Sequence, residues 1–278
     1  MKLGIFAKTF SGDQPNTVLK QCFDAGFPVA QYNMACSGMA SMPAVISGSD
    51  CTIIRDAALD SNVDLCAISA TYNMIHPDLT IRNEGHKKLE VIASAAQKMG
   101  IKLLTLCTGT RNAEDQWSKH RDNVSSEAWN DLLSSMEVAL QIAEDNKLDL
   151  GIEPELANVV DSAVKAKHLL DELQSDRLKI IFDPANLFEK TSLSIQRDIV
   201  SRGIDLLAPD LTMAHAKDRF SDGEFATAGM GILDYTHYLR RLHETGFKGP
   251  LVAHGLKANE ASKVSVFLTE KLREVGVI

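Results

Sequence analysis

Eight times along this chain a short apolar run of strand type gives way to a longer segment whose apolar residues recur at helical spacing. Parallel strands cannot be joined by a tight turn and need a crossover, usually a helix, so strict alternation implies a parallel sheet with right-handed connections. Eight units is the number that closes a single (β/α)8 TIM barrel. The strand runs are Lys2–Ala7, Pro28–Asn33, Val63–Ser69, Ile101–Cys107, Leu148–Ile152, Leu178–Phe182, Ala208–Ala214 and Pro250–Ala253. The helical segments fall at about Pro15–Ala25, Asp50–Asp60 (with Asp50 as cap), Arg82–Met99, Ser125–Asn146, Val159–Leu173, Ile195–Arg202, Asp234–Thr245 and Glu260–Val275. Gly26, Gly100 and Gly246 stand where three of them stop. An open doubly wound sheet is the competing architecture; no GxGxxG helix follows the first strand, which counts against it.

Barrels of this kind use about 250 residues as one unit, so 278 residues are read as one domain, 1–278. The net charge of −8 counts against a protein that holds nucleic acid over its whole surface. Five cysteines without a CxxC pair, two of them inside apolar strands, fit free thiols in a reducing compartment. No stretch approaches the ~20 apolar residues of a membrane span, and the start of the chain has no signal-peptide pattern. The expectation is a cytoplasmic protein with neither nucleic-acid nor membrane partner.

Catalytic groups of a barrel sit at the C-terminal ends of its strands, and there the second half of the sequence is unusual. LDLGIEPELAN ends its apolar run in Glu153, KIIFDPAN in Asp183, APDLTMAHAKD in His215 and PLVAHGLK in His254. Two carboxylates and two imidazoles converging on one cavity suit a divalent cation (Mn, Zn, Co, Mg or Fe(II)) with positions left for water or substrate oxygens. The same residues could instead form a polar network without metal. Other groups carry weaker signals. Lys217 and Arg219 are either rim cations for a substrate carboxylate or phosphate, or part of a solvated loop. Glu155 is a base, a supporting partner or half of a rim salt bridge. His76 and Asn73 follow the third strand, Trp117 could cover a ligand, and Thr108 to Thr110 could offer amides to an anion. His86, His120, His168, His237 and His243 fall away from the strand ends and read as surface residues.

GIEPELAN, IIFDPANLF, MAHAKD and GMGILDYTHYLRRLHETGFKGPLV resemble, in order and spacing, the xylose-isomerase-like sugar isomerase/epimerase superfamily of the AP endonuclease 2 type. Ketose 3-epimerases, hydroxypyruvate isomerase, inosose dehydratase and endonuclease IV belong to it. The likeness is clear from Leu148 onward and diffuse before. It implies a metal held by Glu, Asp, His and a second Glu, the first three matching Glu153, Asp183 and His215. It also implies a loop histidine touching substrate, as His76 could, and a cation at Lys217. Dimers and tetramers are common in that superfamily, so a homo-oligomer is possible. Two positions depart: His254, a metal ligand or a catalytic base but not both at once, replaces the fourth ligand, a Glu, and Asn186 stands where epimerases carry a substrate-binding His.

The resemblance implies an isomerase or epimerase acting on a small sugar or keto-polyol through an enediolate, with Glu153 as base and ligand. With His254 in place of a second carboxylate, a dehydration, retro-aldol or decarboxylation of a related keto-acid or inosose is the alternative. A nuclease would need a richer ligand cluster and a basic groove. A decayed barrel that only binds sugar would rest on the His254 change alone.

Overall fold

In the computed structural model, which describes residues 1–278, eight strands close into a barrel. They are β1 Leu3–Phe6, β2 Val29–Tyr32, β3 Asp64–Ser69, β4 Leu103–Cys107, β5 Asp149–Glu153, β6 Leu178–Phe182, β7 Leu211–Ala216 and β8 Leu251–Ala253. All neighbours are parallel, and β1 closes the ring against β8 with Leu3 opposite Leu251. The helices α1 Pro15–Asp24, α2 Gly48–Asp60, α3 Leu79–Met99, α4 Ser126–Asn146, α5 Ala163–Leu173, α6 Leu193–Leu207, α7 Tyr235–Glu244 and α8 Ala261–Glu274 alternate with them. The barrel expected from the alternation is the barrel found.

Residues two apart on a strand face the same side, and the interior uses this to stack two unlike layers. Ala67, Leu103, Ile181, Met213 and Val252 form a buried apolar cluster inside the ring. Two residues further along come Ser69, Thr105, Asp183, His215 and His254. The lower layer supplies apolar contact, and the upper layer holds the polar groups at the mouth. The larger core, with Leu89, Ile92, Leu132 and Leu169 among its members, joins the helices to the outside of the barrel.

Several element ends differ from the sequence expectation, for one physical reason. Short polar side chains that accept a backbone N–H fix where a helix begins, and several lie upstream of the apolar periodicity. Ser47, not Asp50, caps α2, with Asp50 returning the bond to Ser47 as a capping box. Asp78 starts α3 at Leu79, Ser162 delays α5 to Ala163, and Ser192 lengthens α6. A 3-10 turn over Ala208–Asp210 holds back β7, so His215 lies within the strand rather than after it. His86 is half-buried and edge-on to Tyr72, not a surface residue.

Gly85 on α3 marks one of the tight helix–loop contacts. A Cβ there would stand 2.2 Å from Cδ2 of the buried Tyr72 ring. Alanine is the better helix former by about 1 kcal/mol, yet overpacking costs about 1–3 kcal/mol. Gly85→Ala is therefore expected to lower the free energy of unfolding in urea denaturation. A gain in stability would show that the Tyr72 ring yields freely.

Candidate active site

The upper layer opens into a cavity of about 460 Å³ bordered by Gln31, Thr105, Glu153, Glu155, Asn186 and Lys217, among others. At its base Glu153, Asp183 and His215 each offer one ligand atom, all within 4.8 Å of one another. His215 Nδ1 stands 3.2 Å from Glu153 Oε1 and 3.8 Å from Asp183 Oδ2. That Asp183 oxygen is buried without a hydrogen-bond partner, while Oδ1 accepts from the Ala185 amide at 2.9 Å.

The other imidazole nitrogen decides what Nδ1 presents to the two carboxylates. Gln31 Nε2 donates to Thr105 Oγ1 at 3.0 Å, which turns Gln31 Oε1 toward His215 Nε2 at 3.1 Å. An oxygen there requires a proton on Nε2. In the neutral ring Nδ1 is then a bare lone pair facing two carboxylates, an arrangement that repels unless a proton or a metal ion lies between them. Burial lowers the His215 pKa, but the facing Glu153 charge and hydrogen bond, with Asp183, leave it above its ordinary value. Burial raises Glu153, and the His215 charge and hydrogen bond outweigh it, holding Glu153 at about 2. Burial pushes Asp183 up to about 6 against the pull of Lys217. Glu155, raised by burial and by the Glu153 charge, stands at about 7. It makes no ion pair, so the rim salt bridge considered for it does not form.

The remaining candidates divide. His254 does not join the three clustered ligand atoms; its ring lies between Phe6 (centroids 4.9 Å, 14°) and His215 (5.0 Å, 19°) as the centre of a three-ring stack. Burial and the adjacent His215 lower it to about 3. Asn186 donates from Nδ2 to Glu153 Oε1 at 2.7 Å and so orients that carboxylate. Lys217 is 8% exposed and borders the cavity. Arg219, by contrast, is spent internally: Nε donates to the Ala185 carbonyl, Nη1 to the Gly223 carbonyl, and the guanidinium covers Phe225. His76 also lies elsewhere. It borders a neighbouring cavity, its Nδ1 accepts from the Asp78 amide, and its Nε2 meets the Ala113 carbonyl. The Gly109 and Thr110 amides are likewise taken, by Asn158 and Asn73. Trp117 stands at the mouth, 52% exposed.

Gln31 and Thr105 were not among the sequence candidates. Their signal was a polar residue two places after an inward apolar one, Val29 and Leu103, inside strands that otherwise read as core.

A family model described as xylose isomerase-like TIM barrel matches residues 14–265. No curated protein matches the chain in sequence. Among solved structures, 3-keto-D-glucoside 4-epimerase from E. coli is similar with a TM-score of 0.77 and 15% identity, over 97% of this chain and 99% of that one. A D-tagatose 3-epimerase-like protein has a TM-score of 0.78 at 15% identity, over 99% and 98% of the two chains. L-Ribulose 3-epimerase has a TM-score of 0.77 at 14% identity, over 99% and 96%. At these identities the likeness is one of fold. No helix is long and apolar enough to cross a membrane.

Residues behind metal ligands typically change affinity about 10–100-fold when removed. Gln31→Leu frees the His215 ring and its tautomer, and Mn²⁺ affinity measured by calorimetry is expected to fall within that range. Unchanged affinity would remove Gln31 from any part in ordering the site.

Proposed function

The chain belongs to the xylose isomerase-like TIM-barrel family, and on that footing we propose that it is a divalent-metal-dependent isomerase or epimerase of a small sugar or keto-polyol. One observation carries the reading: His215 Nδ1, the unpartnered Asp183 Oδ2 and Glu153 gather three ligand atoms within 4.8 Å at the base of a polar cavity. The donor set, two carboxylate oxygens and an imidazole nitrogen, fits Mn, Zn, Co, Mg or Fe(II). Glu153, Asp183 and His215 would hold the ion, which when bound supplies electrophilic polarisation of a substrate carbonyl.

The chain's own residues do the rest. Glu153, oriented by the Asn186 amide, removes the proton on the carbon next to the carbonyl. The resulting enediolate is reprotonated at the neighbouring carbon in an isomerisation, or on the opposite face in an epimerisation. Lys217 and Glu155 line the wall along which substrate hydroxyls lie. The sugar epimerases among the similar structures support this chemistry as the class to test.

A second reading, a dehydratase or other lyase acting on a related keto-acid or inosose, is favoured by the placement of the carboxylates. Glu153 ends β5 and Glu155 comes two residues later, while His254, where a base from the other side would stand, is held in an aromatic stack. A base and an acid on one side suit removal of a proton and a hydroxyl together.

Metal analysis is expected to find about one divalent ion per chain, lost in Asp183→Ala. Glu153→Gln is expected to lower solvent-hydrogen exchange into keto-polyols about 10²–10⁴-fold, and product analysis separates isomer from dehydrated product. Full exchange in Glu153→Gln would remove this residue as the base; exchange that persists without metal would remove the metal from the chemistry.

A further inference from the structure

Resting on the function proposed above, we infer that the substrate carries an anionic substituent, a carboxylate or a phosphate, seated on the ammonium of Lys217. The ammonium is fixed from several sides. Its Nζ lies 3.2 Å above the centroid of the Phe225 ring and 3.4 Å from Asn186 Oδ1. The Lys217 carbonyl accepts from the Tyr235 hydroxyl at 3.0 Å. Its aliphatic stem runs over Gly255, where a Cβ would lie 3.3 Å from Cε and where φ is +69°. A residue with a side chain would be strained at that φ and would crowd the stem.

The loop after β7 holds Phe225 in place. Asp218–Arg219 pairs antiparallel with Phe225–Ala226, so the ring folds back over Lys217. Asp218 is buried and accepts from four backbone amides, those of Arg219, Gly229, Gly231 and Leu233. Arg219 braces the same turn from behind through its two carbonyl contacts.

The result is a cation 8% exposed, at the wall of the cavity, with no carboxylate within 4.0 Å. Glu153, Asp183 and Glu155 are close enough to feel its charge, but the first two are committed to the metal site. A buried charge whose partners are all neutral is costly to hold. One weak hydrogen bond and one ring face leave donors of the ammonium unused. An oxyanion of the ligand supplies the missing partner. Lys8, which also borders the cavity and is exposed at its mouth, adds a second positive charge on the approach.

The test compares Mn²⁺-loaded protein on D-fructose, 5-keto-D-gluconate and D-fructose 6-phosphate, reading solvent-hydrogen exchange. Calorimetry with D-gluconate and with inorganic phosphate accompanies it. One anionic compound is expected to exceed D-fructose at least tenfold in kcat/KM, which identifies the substituent as carboxylate or phosphate. The matching anion is expected to bind the wild type. In Lys217→Gln, and in Lys217→Met, which keeps the stem, this preference is expected to shrink below twofold and anion binding to weaken at least tenfold. Exchange fastest with D-fructose, or equal anion binding by wild type and both variants, would overturn the inference while leaving the proposed function standing. Absence of exchange with all three compounds alongside Lys217-dependent anion binding would instead defeat the proposed function and leave the anion subsite.

Discussion

A hydrogen bond from the first half of the barrel decides what its second half can do. Gln31, anchored by Thr105, presents an oxygen to His215 Nε2 and thereby turns Nδ1 toward Glu153 and Asp183. Glu153, Asp183 and His215 Nδ1 then surround a gap in which a proton on Nδ1 or a bound cation balances the two carboxylates. The base of the cavity, the orientation of Glu153 by Asn186 and the aromatic stack behind His215 are all arranged around that gap.

The two-residue period of a strand makes this possible at low structural cost. Met213 and His215, Ile181 and Asp183, and Val252 and His254 are pairs on the same faces of β7, β6 and β8. The first member of each pair packs in the closed apolar layer, so the second is supported from below by side chains with few alternative rotamers. Polar groups so close together tolerate their burial because Asn186, Gln31 and the Ala185 amide satisfy most of their remaining valences.

The barrel was legible because its signal is repeated: eight alternations leave few architectures. The residues at the ends of β5 to β7 were legible because a charged group interrupting an apolar run has few structural excuses. His76 and Arg219 carried weaker signals, and both are engaged by backbone carbonyls and amides of their own and neighbouring loops. Loop conformation sets those bonds, and loop conformation has no periodicity to read. Gln31 and Thr105 were hidden for the opposite cause: one neutral polar residue in a strand looks like tolerated variation until its cross-barrel partner is known. Helix starts at Ser47, Asp78 and Ser192 lay upstream of the apolar pattern because a cap acts through the backbone.

The stack of Phe6, His254 and His215 ties the last two strands, β7 and β8, to β1 at the other end of the chain, and β1 and β8 are the pair that closes the ring. During synthesis Glu153 and Asp183 leave the ribosome well before His254. Until β8 is made and docks beside β1, one face of His215 has nothing against it, and the carboxylates have no walled chamber to share. Enclosure of these side chains therefore belongs to the last stage of maturation, after ring closure. A nascent chain halted short of its final strand would carry Glu153, Asp183 and His215 without the wall that encloses them.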